Sequence, residues 1–288
     1  MRHTQFRFVG AKGFSIYRQC WAPAESRGAV VLCHGLGEHS GRYRHVAEAL
    51  VAEGLTVHAM DHRGHGQSDG KPAMVDRFAN AVADIDQVVD IARTEAAGKP
   101  VFLLGHSMGG ALALQYTLGH QDKLAGLVLS GPAVALDGAP PMIGPISKLL
   151  SRFTPGLGLF PVDPSLVSRD PQAISDYASD PLNAHGKVPA RTLGEIVRFA
   201  EKLPKRLAGI HLPMFVMHGS EDKLAGVAGS EMIINGVRSR DKSLKVYPGL
   251  YHEIFNELPD ERRQVIADLC QWIGSRIPAV EAGEVGAA

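Results

Sequence analysis

The sequence has little of what builds disulfide frameworks or zinc–thiolate sites. Only three of its 288 residues are cysteines, Cys20, Cys33 and Cys270, and no CxxC pair occurs among them. An odd number of widely spaced cysteines argues against both a disulfide framework and a zinc–thiolate site. We therefore expect reduced, buried thiols, which are typical of proteins in a reducing compartment.

An excess of charge of one sign is also missing. Lys and Arg together number 30, as do Asp and Glu, so the formal net charge is zero. Binding along a nucleic-acid backbone needs clustered positive charge, and this balance argues against it. A hydrophobic fraction of 45% and a charged fraction of 21% are those of a globular chain. A chain of this length can form one large domain, or one domain with an insertion.

Long hydrophobic runs are absent as well. The first seven residues, MRHTQFR, lack the apolar stretch of a signal peptide. No run reaches the roughly 18 apolar residues that a membrane-spanning helix requires. We expect a cytoplasmic protein without a signal peptide or transmembrane helix, and peripheral contact with membranes is a further hypothesis.

What the sequence does contain is an alternation of short apolar runs with segments of helical spacing. Residues 6–21 alternate loosely and predict an antiparallel hairpin at a sheet edge. Buried strands are then predicted at residues 29–33, 55–60, 101–104, 124–130, 214–218 and 244–247. Because helical patterns separate most of these runs, we predict an α/β fold with a mostly parallel central sheet and helices on both faces.

The alternation stops near Ala135 and resumes at Met214. The segment between them is rich in Pro and Gly, shows no buried strand run, and is too long for a simple loop. We predict a helical cap at residues 135–203, inserted into a core formed by residues 1–134 and 204–277. Residues 278–288 are predicted to be a flexible tail.

The sharpest motif is GHSMG at residues 105–109, which fits the pattern G-x-S-x-G. An apolar strand pattern ends just before it, and a helical pattern begins just after it. In this context the chain makes a strained turn that exposes the serine hydroxyl above the sheet, and the flanking glycines avoid collisions with neighbouring backbone. Ser107 is therefore predicted to be a nucleophile at the positive end of the following helix.

A serine hydroxyl is a weak nucleophile and needs a base, which in turn needs an orienting acid. In this architecture the acid and then the histidine follow the serine along the chain. Asp222 and His252 fit, because each comes just after a predicted strand, where open α/β sheets place their sites.

Two alternatives for the acid stay open. Glu221 is adjacent to Asp222, and Asp61 follows the second buried strand, before a HRGHG segment that is typical of a tight hydrogen-bonded turn. Among the 13 histidines, His34 and His218 end predicted strands and are interpreted as structural.

Acyl transfer also needs two backbone N–H groups that meet the negative charge developing on the carbonyl oxygen. In this architecture one comes from the residue after the nucleophile and the other from an early loop. We predict that Met108 and Leu36 supply them, because glycines on either side of Leu36 let the backbone approach a substrate.

Six segments together resemble the monoacylglycerol lipases. They are HGLGEHSGRY at 34–43, DHRGHGQS at 61–68, GHSMG at 105–109, YASDPL at 177–182, GSEDKL at 219–224 and YPGLYHE at 247–253. The resemblance covers nearly the whole chain, and its first segment is the most specific. It implies an α/β-hydrolase fold with a cap, glycerol monoesters of fatty acids as substrates, and a triad of Ser107, Asp222 and His252.

The same resemblance implies that Glu38, Arg42, His106 and Tyr177 bind the glycerol part of the substrate. An ion pair between Glu38 and Arg42 that holds the oxyanion loop is the alternative, and both roles can coexist. No metal or organic cofactor is implied, and the expected partner is a monoacylglycerol or a related lipid ester, with no nucleic acid.

An apolar stripe lies in the predicted cap. Its members are Ile143, Ile146, Leu149, Leu150, Phe153, Leu157 and Phe160, of which the first five fit one helical face. The stripe can pack on the core, or it can roof an apolar tunnel and dock transiently on membranes or lipid droplets, with Lys148 and Arg152 beside it.

Other functions remain open at this point. A general carboxylesterase, a lysophospholipase or a thioesterase shares the same core. A non-catalytic ligand-binding protein on a hydrolase scaffold is a remote alternative, since such proteins usually have a damaged triad and this one is complete.

Overall fold

The computed structural model describes residues 1–135 and 143–277. Its strands, in chain order, are β1 (Arg2–Val9), β2 (Ser15–Ala22), β3 (Gly28–Cys33), β4 (Leu55–Met60), β5 (Val101–His106), β6 (Gly126–Ser130), β7 (Gly158–Pro161), β8 (Lys187–Pro189), β9 (Met214–Gly219) and β10 (Lys242–Tyr247). Its α-helices are α1 (Arg44–Ala52), α2 (Phe78–Ala96), α3 (Met108–His120), α4 (Ile143–Phe153), α5 (Pro171–Ser179), α6 (Ala190–Lys202), α7 (Val227–Gly236) and α8 (Pro259–Gly274).

Eight strands form one sheet in the order β1-β2-β4-β3-β5-β6-β9-β10. Parallel pairing runs without interruption from β4 through β3, β5, β6 and β9 to β10. Strand β2 pairs antiparallel with both β1 and β4, so the hairpin β1–β2 forms one edge. The predicted mostly parallel sheet with an antiparallel hairpin at its edge is confirmed.

The central strands of the sheet, β3, β4, β5, β6 and β9, are buried on both faces because they are apolar on both. In β3, Val31 and Cys33 belong to a core cluster that includes residues of α2, α3 and α7, while Val30 and Leu32 belong to a second cluster that includes residues of α1 and α8. Alternate residues of a strand point to opposite faces, so two helical layers require a continuous apolar run rather than an alternating one.

The segment between β6 and β9 contains α4, α5 and α6 and also a small antiparallel sheet of β7 and β8. The sequence shows no buried strand run there, and it did not reveal these two strands. These strands have four and three residues and are partly exposed, so they lack the buried apolar run by which strands are recognised. The boundaries of a separate cap stay a prediction, and the predicted tail lies outside the described residues.

Helix α6 attaches this segment to the core through polar contacts. Thr192 Oγ1 accepts a hydrogen bond from the Val75 N–H at 2.9 Å and donates one to the Ala73 carbonyl at 2.7 Å. Glu195 Oε2 accepts from the N–H of Phe78 at 2.9 Å, at the start of α2. Among the helices of the described ranges, none combines the length and the apolar character needed to cross a membrane.

Helix α4 turns its small residues, not its large apolar ones, towards α6. Ser147 and Ser151 are buried, and a Cβ at Gly194 of α6 would lie 2.7 Å from the Ser151 Cβ. Leu149 and Phe153 are 60% and 70% exposed. For Ile146, Leu149 and Phe153 the interpretation that the stripe packs on the core is therefore wrong, because the close approach of the two helices requires small side chains at their contact.

Candidate active site

The functional side chains meet where the strand order of the sheet reverses. From β3 the chain continues to its neighbour β4 on one side and then returns to β5 on the other. Loops that leave β3 and β5 therefore diverge, and a crevice opens between them at the carboxyl ends of the strands. Leu36 lies in the first of these loops and Ser107 follows β5, and both line a cavity of about 800 Å³ that includes its open mouth.

Ser107 sits in a strained turn. Its φ of +53° and ψ of −119° are outside the regions that non-glycine residues favour. A Cβ at position 105 would lie 2.5 Å from the carbonyl oxygen of Gly109, and a Cβ at position 109 would collide with the carbonyl oxygens of Cys33 and His34. Glycine is therefore required on both sides of the serine, and the turn presents the Ser107 side chain to the cavity.

The structure brings the three predicted side chains Ser107, His252 and Asp222 into one hydrogen-bonded chain. The Ser107 hydroxyl lies 2.8 Å from His252 Nε2, and His252 Nδ1 lies 2.6 Å from Asp222 Oδ2. A carboxylate only accepts, so the proton of the neutral ring is on Nδ1 and the lone pair of Nε2 faces the hydroxyl. This is the arrangement in which a histidine can take a proton from a serine.

Asp222 is held by four donors. Its Oδ1 accepts from the backbone N–H groups of Leu224 and Ala225 at 2.8 and 2.9 Å, and its Oδ2 contacts His218 Nε2 at 3.1 Å besides His252. Burial alone raises the pKa of this carboxyl, but the charge of His252 and these hydrogen bonds outweigh it and hold the pKa well below its usual range. The acid therefore stays ionised and fixed in orientation.

The pKa of His252 is raised above its ordinary value. Burial lowers it, but the charge and hydrogen bond of Asp222 act in the opposite direction and prevail, with a further contribution from Glu253. The imidazolium that forms when His252 takes a proton is thus stabilised by its surroundings.

The two alternatives for the acid make other contacts. Asp61 accepts hydrogen bonds from the N–H and O–H of Ser40 and from the N–H of Gln67, all within 2.9 Å. Glu221 is exposed, and its side chain contacts Ser220 at 3.4 Å. The geometry favours Asp222 because its oxygen is the one in contact with His252.

Sequence reasoning interpreted His34 and His218 as structural, and the structure separates the two. His34 Nε2 accepts from the N–H of His62 at 2.9 Å and so braces the neighbouring turn. His218 Nε2 instead lies 2.7 Å from the Ala225 carbonyl oxygen and 3.1 Å from Asp222 Oδ2, while its Nδ1 lies 2.6 Å from the Ser230 hydroxyl. Its position at the end of β9, four residues before the acid, was the available signal for this contact.

The predicted oxyanion-hole residues, Leu36 and Met108, both line the cavity beside Ser107. Met108 is the first residue of α3, so its N–H has no partner within the helix and is free to meet an anion. A Cβ at Gly35 would lie 3.2 Å from the Ser107 Cβ, so the loop that carries Leu36 passes directly against the nucleophile. Their role as donors remains a prediction.

Glu38 and Arg42 form a buried ion pair that braces this loop. Glu38 Oε2 accepts from Arg42 at 2.6 Å, and its Oε1 accepts from the N–H of Gly35 and the hydroxyl of Tyr43, each at 2.6 Å. Glu38 also lines the cavity. The geometry therefore supports the structural role of the pair and leaves room for contact with a ligand.

Glu253 was not singled out from the sequence. Its two carboxylate oxygens accept from Arg42 at 2.8 and 2.7 Å, and the Arg42 guanidinium lies 4.9 Å from the centre of the Tyr177 ring. His106, Tyr177 and Glu253 line the cavity together, whereas Arg42 lies behind them. Glu253 ends the YPGLYHE segment at 247–253, but that segment does not show where its side chain lies, and only the fold reveals that it reaches the cavity.

The rest of the cavity wall is apolar, and most of it comes from the segment between β6 and β9. These wall residues are Phe160, Val162, Val167, Val188, Leu193 and Ile196. A cavity with an apolar wall and one polar end suits a ligand with a hydrocarbon chain and a polar head.

Within the described residues one cluster offers three possible metal ligands, Cys20, His58 and Glu95. It lies on β2, β4 and the end of α2, two strands away from Ser107. Arg18 donates to His58 Nδ1 at 3.2 Å, so the ring proton is on Nε2 and no lone pair there faces the other two groups. The cluster does not fit a metal site in this state.

Comparison with known proteins gives independent evidence about the family to which the chain belongs. Residues 24–259 match the family model described as Hydrolase_4, serine aminopeptidase, S33. The chain is similar to a monoacylglycerol lipase of Mycolicibacterium smegmatis, with 41% identity over 95% of this chain and 98% of the relative.

Two solved structures resemble the fold closely. The monoacylglycerol lipase of Paleococcus ferrophilus has 34% identity and a TM-score of 0.83, over 91% of this chain and 99% of its own. A soluble variant of the Saccharomyces cerevisiae monoglyceride lipase, in complex with a substrate analogue, has 27% identity and a TM-score of 0.86, over 96% of each chain.

Proposed function

Because the chain belongs to the serine aminopeptidase S33 family, and within it to the monoacylglycerol lipases, we propose that it hydrolyses monoacylglycerols to fatty acid and glycerol. The observation that carries the proposal is the hydrogen-bonded chain from Ser107 through His252 to Asp222. It lies in a cavity that is apolar along most of its wall and polar at one end.

In the first step His252 Nε2 takes the proton of Ser107 while the serine oxygen attacks the ester carbonyl. Asp222 holds the ring in the required tautomer and stabilises its charged form. The N–H groups of Leu36 and Met108 bind the negative oxygen of the tetrahedral intermediate. When this intermediate collapses, the C–O bond to glycerol breaks and His252 returns its proton to the departing alkoxide.

In the second step the acyl group is an ester of Ser107. His252 takes a proton from a water molecule, whose oxygen attacks the acyl carbonyl. Collapse of the second tetrahedral intermediate releases the fatty acid, and the proton on His252 returns to the Ser107 oxygen. The enzyme is thereby restored without a net change in protons on the triad.

The apolar wall supplies binding energy for the acyl chain. Each methylene removed from water contributes about 0.8 kcal/mol, so a medium-length chain is held without polar contacts. General carboxylesterases, lysophospholipases and thioesterases share this chemistry and remain the alternatives.

A panel of substrates tests the proposal. We expect kcat/KM to be highest for a monoacylglycerol when it is compared with the diacylglycerol, the triacylglycerol, a lysophospholipid and a short aryl ester. A higher value for the lysophospholipid or for the aryl ester would contradict it.

We further propose that the exposed face of α4 docks transiently on membranes or lipid droplets. Ile146, Leu149 and Phe153 are spaced at three and four residues and therefore share one face of the helix, and all three are exposed. Phe160, which follows in β7, is both exposed and part of the cavity wall, so the apolar surface reaches the cavity mouth. Such a surface would bring the mouth to the lipid from which substrate enters.

Flotation with liposomes tests this proposal. The double variant Leu149→Ser and Phe153→Ser should lose most binding, while Val9→Ser on the edge strand β1, where Val9 is 72% exposed, should keep it. If the unaltered protein does not float with the liposomes, or if both variants float equally well, the proposal is wrong.

A further inference from the structure

The polar end of the cavity is formed by two carboxyl side chains with one cation behind them. Glu38 and Glu253 both line it near Ser107, and among the described lining residues there is no lysine or arginine. Arg42 contacts both carboxylates from behind, at 2.6 to 2.8 Å. One cation for two anions leaves one negative charge uncompensated if both carboxyls are ionised.

The contacts of the two carboxyls favour the ionised state. Glu38 accepts from an N–H of Gly35, a hydroxyl of Tyr43 and the guanidinium of Arg42, which is an acceptor-only pattern. Burial and the nearby charge of Glu253 raise its pKa above the ordinary value, against the opposing effects of Arg42 and of these hydrogen bonds, so the ionised state of Glu38 is supported by its contacts alone. For Glu253, burial also favours the neutral form, but the charge and hydrogen bonds of Arg42 outweigh it and lower the pKa to about 2.

Apart from the triad, the other polar side chains at this end, His106 and Tyr177, add no positive charge at neutral pH. Burial, together with the nearby charge of His252, lowers the pKa of His106 to about 3, so its ring is neutral. Burial and the two carboxylates raise the pKa of Tyr177 to about 12, so its hydroxyl keeps its proton.

We propose that Glu253 is a specificity-determining residue, which reserves the polar end for neutral or cationic leaving groups and excludes anionic ones such as a glycerol phosphate. The inference rests on the proposed ester hydrolysis at Ser107. The apolar wall takes the acyl chain, so the leaving group must lie at the polar end beside the carboxylates. Hydroxyl groups can donate hydrogen bonds to the carboxylate oxygens there. A phosphate is repelled by their negative charge, and it has too few O–H donors for hydrogen bonds to offset that repulsion.

The size of the effect follows from Coulomb's law. A unit negative charge about 6 Å from the uncompensated carboxylate, at an effective dielectric constant of about 20, lowers kcat/KM by roughly 100-fold. A cationic leaving group at the same place is favoured over a neutral one of the same shape, but by a smaller factor. The hydration that the cation loses on entering the cavity offsets part of the attraction.

The first experiment compares 1-decanoylglycerol with 1-decanoylglycerol 3-phosphate, both below their critical micelle concentrations. We expect kcat/KM of the unaltered protein to favour the neutral ester by roughly 100-fold, and Glu253→Gln to narrow this ratio to about 10-fold or less. Glu257→Gln is the matched control, because Glu257 is a buried glutamate that braces the same loop through the Tyr251 N–H at 2.7 Å. It should leave the ratio unchanged.

Equal rates for the two esters in the unaltered protein would overturn the inference. So would a Glu253→Gln variant that loses activity on both esters in the same proportion, since that is the behaviour of a purely structural residue. If no neutral ester is hydrolysed at all, the proposed function itself is wrong, and the inference is refuted together with it.

A second experiment needs no variant and therefore does not depend on how Glu253→Gln folds. Butanoylcholine and 3,3-dimethylbutyl butanoate have the same shape and differ by one positive charge. We expect the choline ester to have the higher kcat/KM in the unaltered protein, by several-fold. Equal values, or a preference for the uncharged ester, would contradict a negatively charged polar end.

Discussion

The triad and the outer face of α4 differ in how far their side chains are buried and in contact with the rest of the chain. The Asp222 side chain is fully buried, and its two oxygens accept from four donors. On α4, Leu149 and Phe153 leave most of their apolar surface in water. The triad is therefore fixed by contacts within the chain, whereas the α4 face lacks a partner within the described residues and is available to one outside them.

The difference teaches that catalysis and lipid contact draw on different parts of this fold. Removing a group from the triad should change catalysis and leave the binding to lipid unchanged. Altering the face of α4 should change neither the chemistry nor the stability, only the encounter with lipid. The following variants test that division, in order of decreasing effect.

Apart from Ser107→Ala, the largest effect in this series is expected for Asp222→Asn. Losing the ionised acid removes the support for the His252 tautomer, and turnover should fall by about 10⁴-fold. Glu221→Gln is the matched control, and steady-state kinetics on a monoacylglycerol should show less than a twofold change. A larger loss for Glu221→Gln than for Asp222→Asn would show that the acid is misassigned.

A smaller loss is expected when the second imidazole on Asp222 is removed. His218→Leu deletes a hydrogen bond to a charged group, and kcat should fall by about 10-fold. KM should not change, because His218 does not line the cavity. His218→Gln keeps a donor and should restore part of the rate, whereas equal losses in both variants would assign His218 a packing role only.

The pH dependence should reflect the raised pKa of His252. The base must be neutral, so activity is present above this pKa and is lost as the pH falls through it. Because the pKa is raised, the midpoint of the acid limb of kcat/KM should lie above the ordinary histidine value of about 6.5. His211→Gln, which alters an exposed histidine, should leave the profile in place. A midpoint below about 6.5, the value for histidine in model peptides, would contradict the assignment.

The smallest effect should be on stability at the α4 face. Leu149→Ala should change the free energy of unfolding by less than about 0.5 kcal/mol, because the side chain is already exposed. Leu112→Ala in α3, where the side chain is fully buried, should cost about 2–5 kcal/mol. Chemical denaturation measures the free energy of unfolding of both variants. If Leu149→Ala lowers it by more than about 1 kcal/mol, instead of the roughly 0.5 kcal/mol expected at most, the face of α4 packs on the core in solution.

The predictable parts of the fold and site are those that local sequence determines. The strands from β3 to β6 carry continuous apolar runs, and the turn at Ser107 carries its own glycines, so both could be located from short segments. Asp222 and His252 could be placed because a parallel sheet brings the ends of its strands to one edge.

The remaining parts depend on contacts between distant segments. The spacing of apolar residues in α4 indicates an apolar face but not which neighbour covers it. The packing of α4 on α6 is determined instead by two small residues, Ser151 and Gly194. Glu253 reaches the cavity because Arg42, 211 positions earlier in the chain, holds it there. Neither contact leaves a pattern in the sequence near the residue concerned.

The most direct test of the central claim is covalent capture of the nucleophile. After exposure to a fluorophosphonate, mass spectrometry of the intact protein should show one adduct, and peptide mapping should place it on Ser107. Ser107→Ala should show no adduct and a turnover lower by about 10⁶-fold. An adduct on another residue, or full labelling of Ser107→Ala, would contradict the proposed mechanism.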